Sequence, residues 1–219
     1  QDASPEQLEI GEVNTGVMGL TTNLLADWLP QINNDNAQGE YYLTDLIAIA
    51  RRSGYNIASI QPDSTHEVEG INSRQQLAAL ERVYQLQQAE KLMASGTSLA
   101  DPARFDLRGT LHAGQDNTID INCLFEGDVS IGSNVSIGPN CHIINSRIGD
   151  AVEIKSNTVI EDAIVGDRAV LGPFARIRPG TQLGSDTKVG NFVETKKAIV
   201  GNGSKINHLS YVGDAELGE

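Results

Sequence analysis

Along the second half of the chain, branched aliphatic residues recur with a period of six. They stand at Ile131, Ile137, Ile143, Ile148, Ile154, Ile160, Val165, Leu171, Ile177, Leu183 and Val189, and after a break at Val200, Ile206 and Val212. Most steps are of six residues and two are of five. A helix with 3.6 residues per turn cannot hold such a period on one face. A triangular coil with one short strand per side can, each side turning one aliphatic inward. Three sides make a coil of about eighteen residues, and coils stack at the ~4.8 Å spacing of neighbouring strands. Nine of the fourteen anchors are followed by Gly, expected to let the backbone turn each corner. The fourth residue after an anchor is usually small, as at Val135, Cys141, Thr158, Ala169, Ala175, Thr181, Thr187, Ser204 and Ser210. The period predicts a parallel β-helix over residues 97–219 and leaves its hand open, although crossovers in general are right-handed.

The first 73 residues follow another pattern. Leu8 to Leu20 has the apolar alternation of a strand, and Asn56 to Ile60 resembles a second. Between them, Leu24 to Leu29 predicts a short helix behind Thr21 or Thr22. The string TDLIAIARRSG predicts another, with Thr44 as cap, Leu46, Ile47, Ile49 and Ala50 as the buried stripe, and Gly54 as the stop. This is an α/β pattern too short for a complete nucleotide-binding sheet. Residues 74–96 predict one long helix: Ser73 and Gln76 have capping-box spacing, Leu77, Leu80 and Tyr84 repeat at helical intervals, and Gly96 ends the run. With a Gln-, Glu- and Arg-rich face, it reads as a solvated linker between two domains.

The formal charge of −13 argues against nucleic-acid or anionic-membrane partners, and no apolar run reaches the length of a membrane span. Bases concentrate at 168–205, which holds Arg168, Arg176, Arg178, Lys188, Lys196, Lys197 and Lys205 against Asp186 and Glu194. Such a patch suits a small phosphorylated ligand and equally describes a solvated face. Two cysteines, Cys123 and Cys141, make a disulfide framework unexpected. They read as reduced, buried thiols of a cytoplasmic protein, eighteen residues apart and hence stacked in successive coils. The opening Gln1 and a repeat still running at Glu219 suggest a piece cut at both ends.

Several strings are more specific than the period. They are EVNTGV (12–17), GEYYLTD (39–45) and EVEGIN (67–72) in the first region, then DPARFDLRGTL (101–111), GPFARIRPG (172–180), VGNFVETKKA (189–198) and HLSYVGDAELG (208–218). In this order they resemble the bacterial bifunctional N-acetylglucosamine-1-phosphate uridyltransferase/glucosamine-1-phosphate acetyltransferases over essentially the whole chain. The resemblance implies a nucleotidyltransferase remnant at 1–73 followed by a left-handed β-helix. It implies acetyl transfer from acetyl-CoA to glucosamine-1-phosphate, then uridylyl transfer from UTP with Mg²⁺, in a cytoplasmic homotrimer. It also implies roles for single residues: Asn72 as Mg²⁺ ligand and nucleotide-sugar contact, Asn14 as a second nucleotide-sugar contact, Arg178, Lys196 and Tyr211 as sugar-phosphate contacts, and His208 as general base. The family's Gly-rich triphosphate loop and metal-binding Asp have no counterpart here, nor do its later acetyl-CoA contacts, so the uridyltransferase half is expected to be inactive and acetyl transfer to be in doubt.

The residues also admit readings of their own. Asn14 and Asn72 suit turn chemistry as well as ligation. Arg178 and Lys196 lie eighteen apart, each just after an anchor position (Ile177 and Thr195), which puts them one coil apart on one corner. Two cations so held favour a phosphate between them, or are two solvated corner residues. An imidazole such as His208 titrates near neutrality and so can take a proton from an ammonium. By phase, His208 lies two sides beyond Lys196, so the groups meet within one chain or across a subunit interface, and flat-sided prisms favour the interface. The competing readings are a nucleotidyltransferase whose β-helix serves assembly or allostery, a β-helix carbonic anhydrase, and a structural trimer. His66, His112, His142 and His208 show no three-His grouping, which speaks against the second.

Overall fold

The computed structural model describes residues 4–218, which fold as two compact units divided at Arg74 and Gln75. In the first unit, helix α1 (Thr22–Trp28) and helix α2 (Asp45–Arg52) enclose a small core of Trp28, Leu46, Ile49 and Ala50, and Tyr55 meets the Trp28 ring edge-on. Thr44 precedes α2 without a side-chain cap bond, Ile47 is exposed, and Gly54 ends the helix at a φ of 78°.

Neither predicted strand of this unit forms. Leu8 lies in a single 3-10 turn (Gln7–Glu9), and Ile10 to Leu20 and Asn56 to Ile60 run as irregular chain, with Leu8, Ile10, Val13, Val17 and Ile60 exposed. Alternation prepares a segment for a sheet, but a ladder needs a second strand to bond. Among the described residues of the unit there is none, so the α/β expectation is not met there.

The second unit begins with the long helix α3 (Arg74–Ala94) and continues as the β-helix. The helix is docked, not solvated all round, and its buried residues are Gln85, Ala89 and Leu92, while Leu77 and Tyr84 are exposed. The reason lies in strand β2 (Phe105–Ala113), which precedes the stacked coils and has a bare edge. Gln85 covers it: its Nε2 donates to the Leu107 carbonyl at 2.9 Å, and its Oε1 accepts from the Leu107 N–H at 2.7 Å. A buried strand edge left unbonded would be costly, and one amide side chain supplies both missing partners. Arg82 adds an ion pair to Asp106.

The coils stack in parallel on three faces. The first face is a seven-stranded sheet running from β1 (Thr97–Leu99) through β3 (Asn117–Ile119) to Lys205–Ile206. The second and third faces are joined because β4 (Cys123–Ile131) passes over the corner between them, pairing with His142–Ile144 on one side and Arg147–Ile148 on the other. The second face then continues through Val159–Glu161, Arg176–Ile177 and Glu194–Lys196 to Tyr211–Gly213. Thirteen of the fourteen predicted anchors are buried and the last, Val212, is partly so. At the break in the series Thr195 fills the column between Ile177 and Val212, its hydroxyl bonded to that of Thr181 at 3.2 Å. Cys123 and Cys141 are stacked and free, as expected. The neighbouring Cys141 thiol and burial push the Cys123 thiol upward, which keeps it protonated.

The glycines act differently from the expectation. Of those after the anchors, Gly132, Gly149, Gly166 and Gly184 keep ordinary φ, but a Cβ on any of these four would come within 3.0 Å of the next coil, whereas Gly172 does take the left-handed region at a φ of 86°. These four permit close stacking and do not make the turns. The corners are turned by residues in the left-handed region, often Asn or Asp: Asn122, Asn134, Asn140, Asn145, Asn157 and Asp186 have φ between 43° and 61°. Short polar side chains tolerate this conformation, which costs other residues with a Cβ about 1–2 kcal/mol.

Candidate functional site

The outward side chains of the second face alternate with its buried anchors. Register places Arg176, Glu194 and Tyr211 in one column, and the neighbouring column ends in Lys196 and Gly213. Arg178 follows Ile177, as Lys196 follows Thr195, and its N–H donates to the Thr195 carbonyl at 2.9 Å. The two cations therefore occupy the same phase in successive coils, at the edge where the second face turns into the third. His208 stands in the segment between Ile206 and Tyr211, at the opposite edge, where the first face turns into the second, and is exposed. Tyr211 begins the strand between these edges and is 62 % exposed.

One residue of this group escaped the sequence reading. Glu194 stands two residues before Lys196 in its strand, and its Oε1 accepts from Arg178 Nη1 at 2.6 Å. Without a ligand, the guanidinium is thus already held by a carboxylate. The signal was present in the ETK string, since a residue two before Lys196 in a strand shares its face. Arg176 approaches Glu161 at 4.0 Å, and His142 approaches Glu126 at 3.3 Å on the same face.

The basic stretch at 168–205 does not form one patch. Arg168 lies at the corner between the third and first faces, in a two-bond pair with Asp186 at 2.8 and 2.7 Å. That pairing raises the guanidinium pKa and holds the carboxyl below its ordinary range. Lys188 and Lys205 project from the first face, in register with each other. A period near eighteen sends residues close in sequence to different faces, so a run of charge in the sequence becomes several separate sites.

A second oddity follows the corner between the first and second faces. Its first three left-handed positions are Asn122, Asn140 and Asn157, and the next three are Phe174, Phe192 and Leu209, with φ of 56°, 55° and 56°. The three apolar side chains are exposed, and the Phe174 and Phe192 rings stack with centroids 5.2 Å apart.

In the first unit, Asn14 lines a cavity of about 900 Å³ with Ile10, Thr44, Asp45, Ile47, Ala48, Arg51 and Ile57. Its Oδ1 accepts from the Gly16 N–H at 2.7 Å, a turn contact. Asn72 is exposed in irregular chain and is not part of that lining. Among the described residues no group of three or more His, Cys, Asp or Glu side chains converges as a metal site. A single neutral amide does not hold Mg²⁺, which is bound through carboxylates and phosphates, so the residues present do not by themselves fit the ion. Another cavity, of about 410 Å³, lies between α3 and β2 and is lined by residues including Lys91, Phe105 and His112. Neither cavity includes Arg178, Lys196, His208 or Tyr211. No helix among the described residues is long and apolar enough to cross a membrane.

Comparison with known proteins adds the remaining findings. The whole chain aligns at 60 % identity with the bifunctional protein GlmU of Marinobacter nauticus, covering 48 % of that protein. It aligns at 52 % with the GlmU proteins of Paraburkholderia xenovorans and Acinetobacter baylyi, again over 48 % of each. Over its full length the chain is thus similar to part of each of these GlmU proteins. It spans about half the length of these curated relatives. The GMPPB C-terminal domain family matches residues 107–211. Among solved structures, the D94A mutant of the N-acyltransferase AntD from Bacillus cereus, in complex with dTDP and coenzyme A, aligns with a TM-score of 0.42 at 16 % identity, over 56 % of this chain and 80 % of that one. The acetyltransferase domain of PglB from Neisseria gonorrhoeae, in complex with acetyl coenzyme A, aligns with a TM-score of 0.34 at 13 % identity, over 76 % and 84 %.

Proposed function

We infer that this GlmU-related chain carries the sugar-phosphate part of an acetyltransferase site, and that the protein it represents transfers acetyl from acetyl-CoA to glucosamine-1-phosphate. The observation that carries the reading is the shared phase of Arg178 and Lys196 on one edge of a face that also presents Tyr211 and, at its far edge, His208. The two cations receive the phosphate through charge-assisted bonds, Arg178 exchanging Glu194 for the ligand. The Tyr211 hydroxyl contacts the sugar. His208 takes the proton lost from the ammonium, so that the free amine attacks the thioester carbonyl; the amide bond forms, the carbon–sulfur bond breaks, and coenzyme A leaves as its thiol, taking up the second proton that the nitrogen loses. Subsequent uridylyl transfer from UTP, with Mg²⁺, belongs to the same reading of the longer protein, with Asn14 and Asn72 as contacts to the nucleotide sugar. A homotrimer in the cytoplasm is part of it too.

Calorimetry tests the reading. Glucosamine-1-phosphate is expected to bind and glucosamine to bind far more weakly, because the phosphate supplies the charge. Equal affinity for the two removes the phosphate role of Arg178 and Lys196. Coenzyme A release from acetyl-CoA in the presence of glucosamine-1-phosphate separates acetyl transfer from a β-helix that only assembles the protein.

A further inference from the structure

We propose that Cys123 and Cys141 form a two-coordinate site, inside the β-helix, for a soft monovalent metal ion of the copper(I) class. Register puts both in one inward column, in the order Phe105, Cys123, Cys141, Thr158 and Ala175. Both cysteines are free and only 1 % exposed. Their side chains are placed alike. The Cys123 Sγ donates to the Gly138 carbonyl at 3.3 Å, and the Cys141 Sγ to the Lys155 carbonyl at 3.2 Å. Gly138 and Lys155 each stand three residues before the next member of the column, so the two thiols are equivalents in successive coils. The sulfurs are therefore separated by one coil, the ~4.8 Å of neighbouring strands.

That spacing selects what the pair binds. A disulfide needs Cβ atoms about 3.8 Å apart, so it would have to draw two hydrogen-bonded coils together by about 1 Å. Two metal–sulfur bonds of about 2.3 Å, the length found for zinc thiolates, span about 4.6 Å end to end. One ion thus fits between the sulfurs with the coils left in place. Thiolates favour soft ions such as copper(I), and a closed-shell monovalent ion accepts two ligands in line. Zinc takes four, and among the described residues no third or fourth His, Cys, Asp or Glu joins the pair. Binding replaces each S–H bond by a metal–sulfur bond and releases two protons, leaving one negative charge on the complex. The column provides for that charge. Thr158, next after Cys141, is fully buried and its Oγ1 has no hydrogen-bond partner. The Cys123 thiol, then the N–H groups of Thr158 and Asn157, lower the Cys141 pKa against the opposing effect of burial, which readies that sulfur to lose its proton. Phe105 stands directly before Cys123 and lines the cavity between α3 and β2, so a single ring separates the thiols from an opening to solvent.

Silver(I), which shares the charge and softness of copper(I) and needs no reductant, is the probe. The folded chain is titrated with silver nitrate in chloride-free buffer, and bound metal is counted after gel filtration. The expected result is one ion per chain, with two protons released per ion. Cys123→Ala and Cys141→Ala are each expected to bind silver about a hundredfold more weakly or worse, the gain that joining two ligands provides being lost. Ala175 already occupies the same column, so both variants are expected to keep their β-rich circular dichroism. Undiminished affinity in either variant, uptake of two ions per chain, or no uptake by the folded chain overturns the shared site. Should a variant lose its circular dichroism, X-ray absorption of the silver-loaded wild type decides. Two sulfurs around the ion support the site, and one sulfur overturns it. Treatment with peroxide is expected to leave both thiols titratable, since a disulfide would show that the coils close up and would overturn the spacing on which the site rests.

Discussion

Arg178 and Glu194 come from successive coils and meet at 2.6 Å, so the guanidinium proposed to receive a phosphate is already bonded to a carboxylate. A phosphate approaching Nη1 would compete with that carboxylate. Both side chains are partly open to water, at 35 % and 41 % exposure, so the pair is weak enough to exchange. Glu194→Gln is expected to tighten glucosamine-1-phosphate binding up to about fivefold, the factor set by a partly exposed ion pair. Arg178→Ala is expected to weaken it about tenfold to a hundredfold, the worth of hydrogen bonds to a charged group. Calorimetry on both variants checks the two signs. A weaker Glu194→Gln complex would mean that the carboxylate holds the ligand and does not compete with it.

The second unit was largely legible because its period is also its physics. One buried aliphatic per side fixes both the sequence spacing and the stacking, and Ile131 through Ile206 are buried accordingly. The same register set Arg178 beside Lys196. What was hidden depended on partners that a period does not encode. Gln85 reads as one polar residue of a polar helix, and only the bare edge of β2 shows why it is buried. The alternation at Leu8 to Leu20 was real as a pattern, but no described strand bonds to it. The glycines were placed correctly and explained wrongly, since the corners are turned by Asn122, Asn140 and their equivalents.

His208 is exposed at its corner and takes part in no packing that its removal would destroy. His208→Gln is therefore expected to leave the melting temperature unchanged and to lower the rate of coenzyme A release by about 10²–10⁴-fold, the usual worth of a general base. The residual rate should lose whatever part of its pH dependence comes from proton uptake by that imidazole. A variant that retains the wild-type rate removes His208 from the chemistry.

Gln85 offers a stability test independent of function. Its amide satisfies the N–H and the carbonyl of Leu107, and the side chain is 2 % exposed. Gln85→Leu keeps the volume and leaves both backbone groups unbonded, at about 1–3 kcal/mol each. The expected result is a lower melting temperature together with faster hydrogen exchange in β2. Loss confined to α3, with β2 still protected, would show that the first coil holds its own edge.

The Arg168–Asp186 pair predicts how stability changes in acid. Its two bonds hold the Asp186 carboxyl below the ordinary value of 3.8, so the folded state binds this proton less readily than the unfolded chain. The contribution is therefore complete above about pH 4 and is lost as pH falls through the lower folded value. Asp186→Asn removes the titrating group and suits the corner, since Asn tolerates the left-handed φ of 61° found there. Melting temperatures of wild type and variant should differ most near neutrality and converge as the pH falls below the ordinary carboxyl value of 3.8. Asp101 is likewise held low, first by the Ala103 N–H and then by Arg104, but it is common to both proteins and cancels in the difference. A difference that stays constant down to strong acid would assign the contact to hydrogen-bond geometry alone, with the charge on Asp186 contributing nothing.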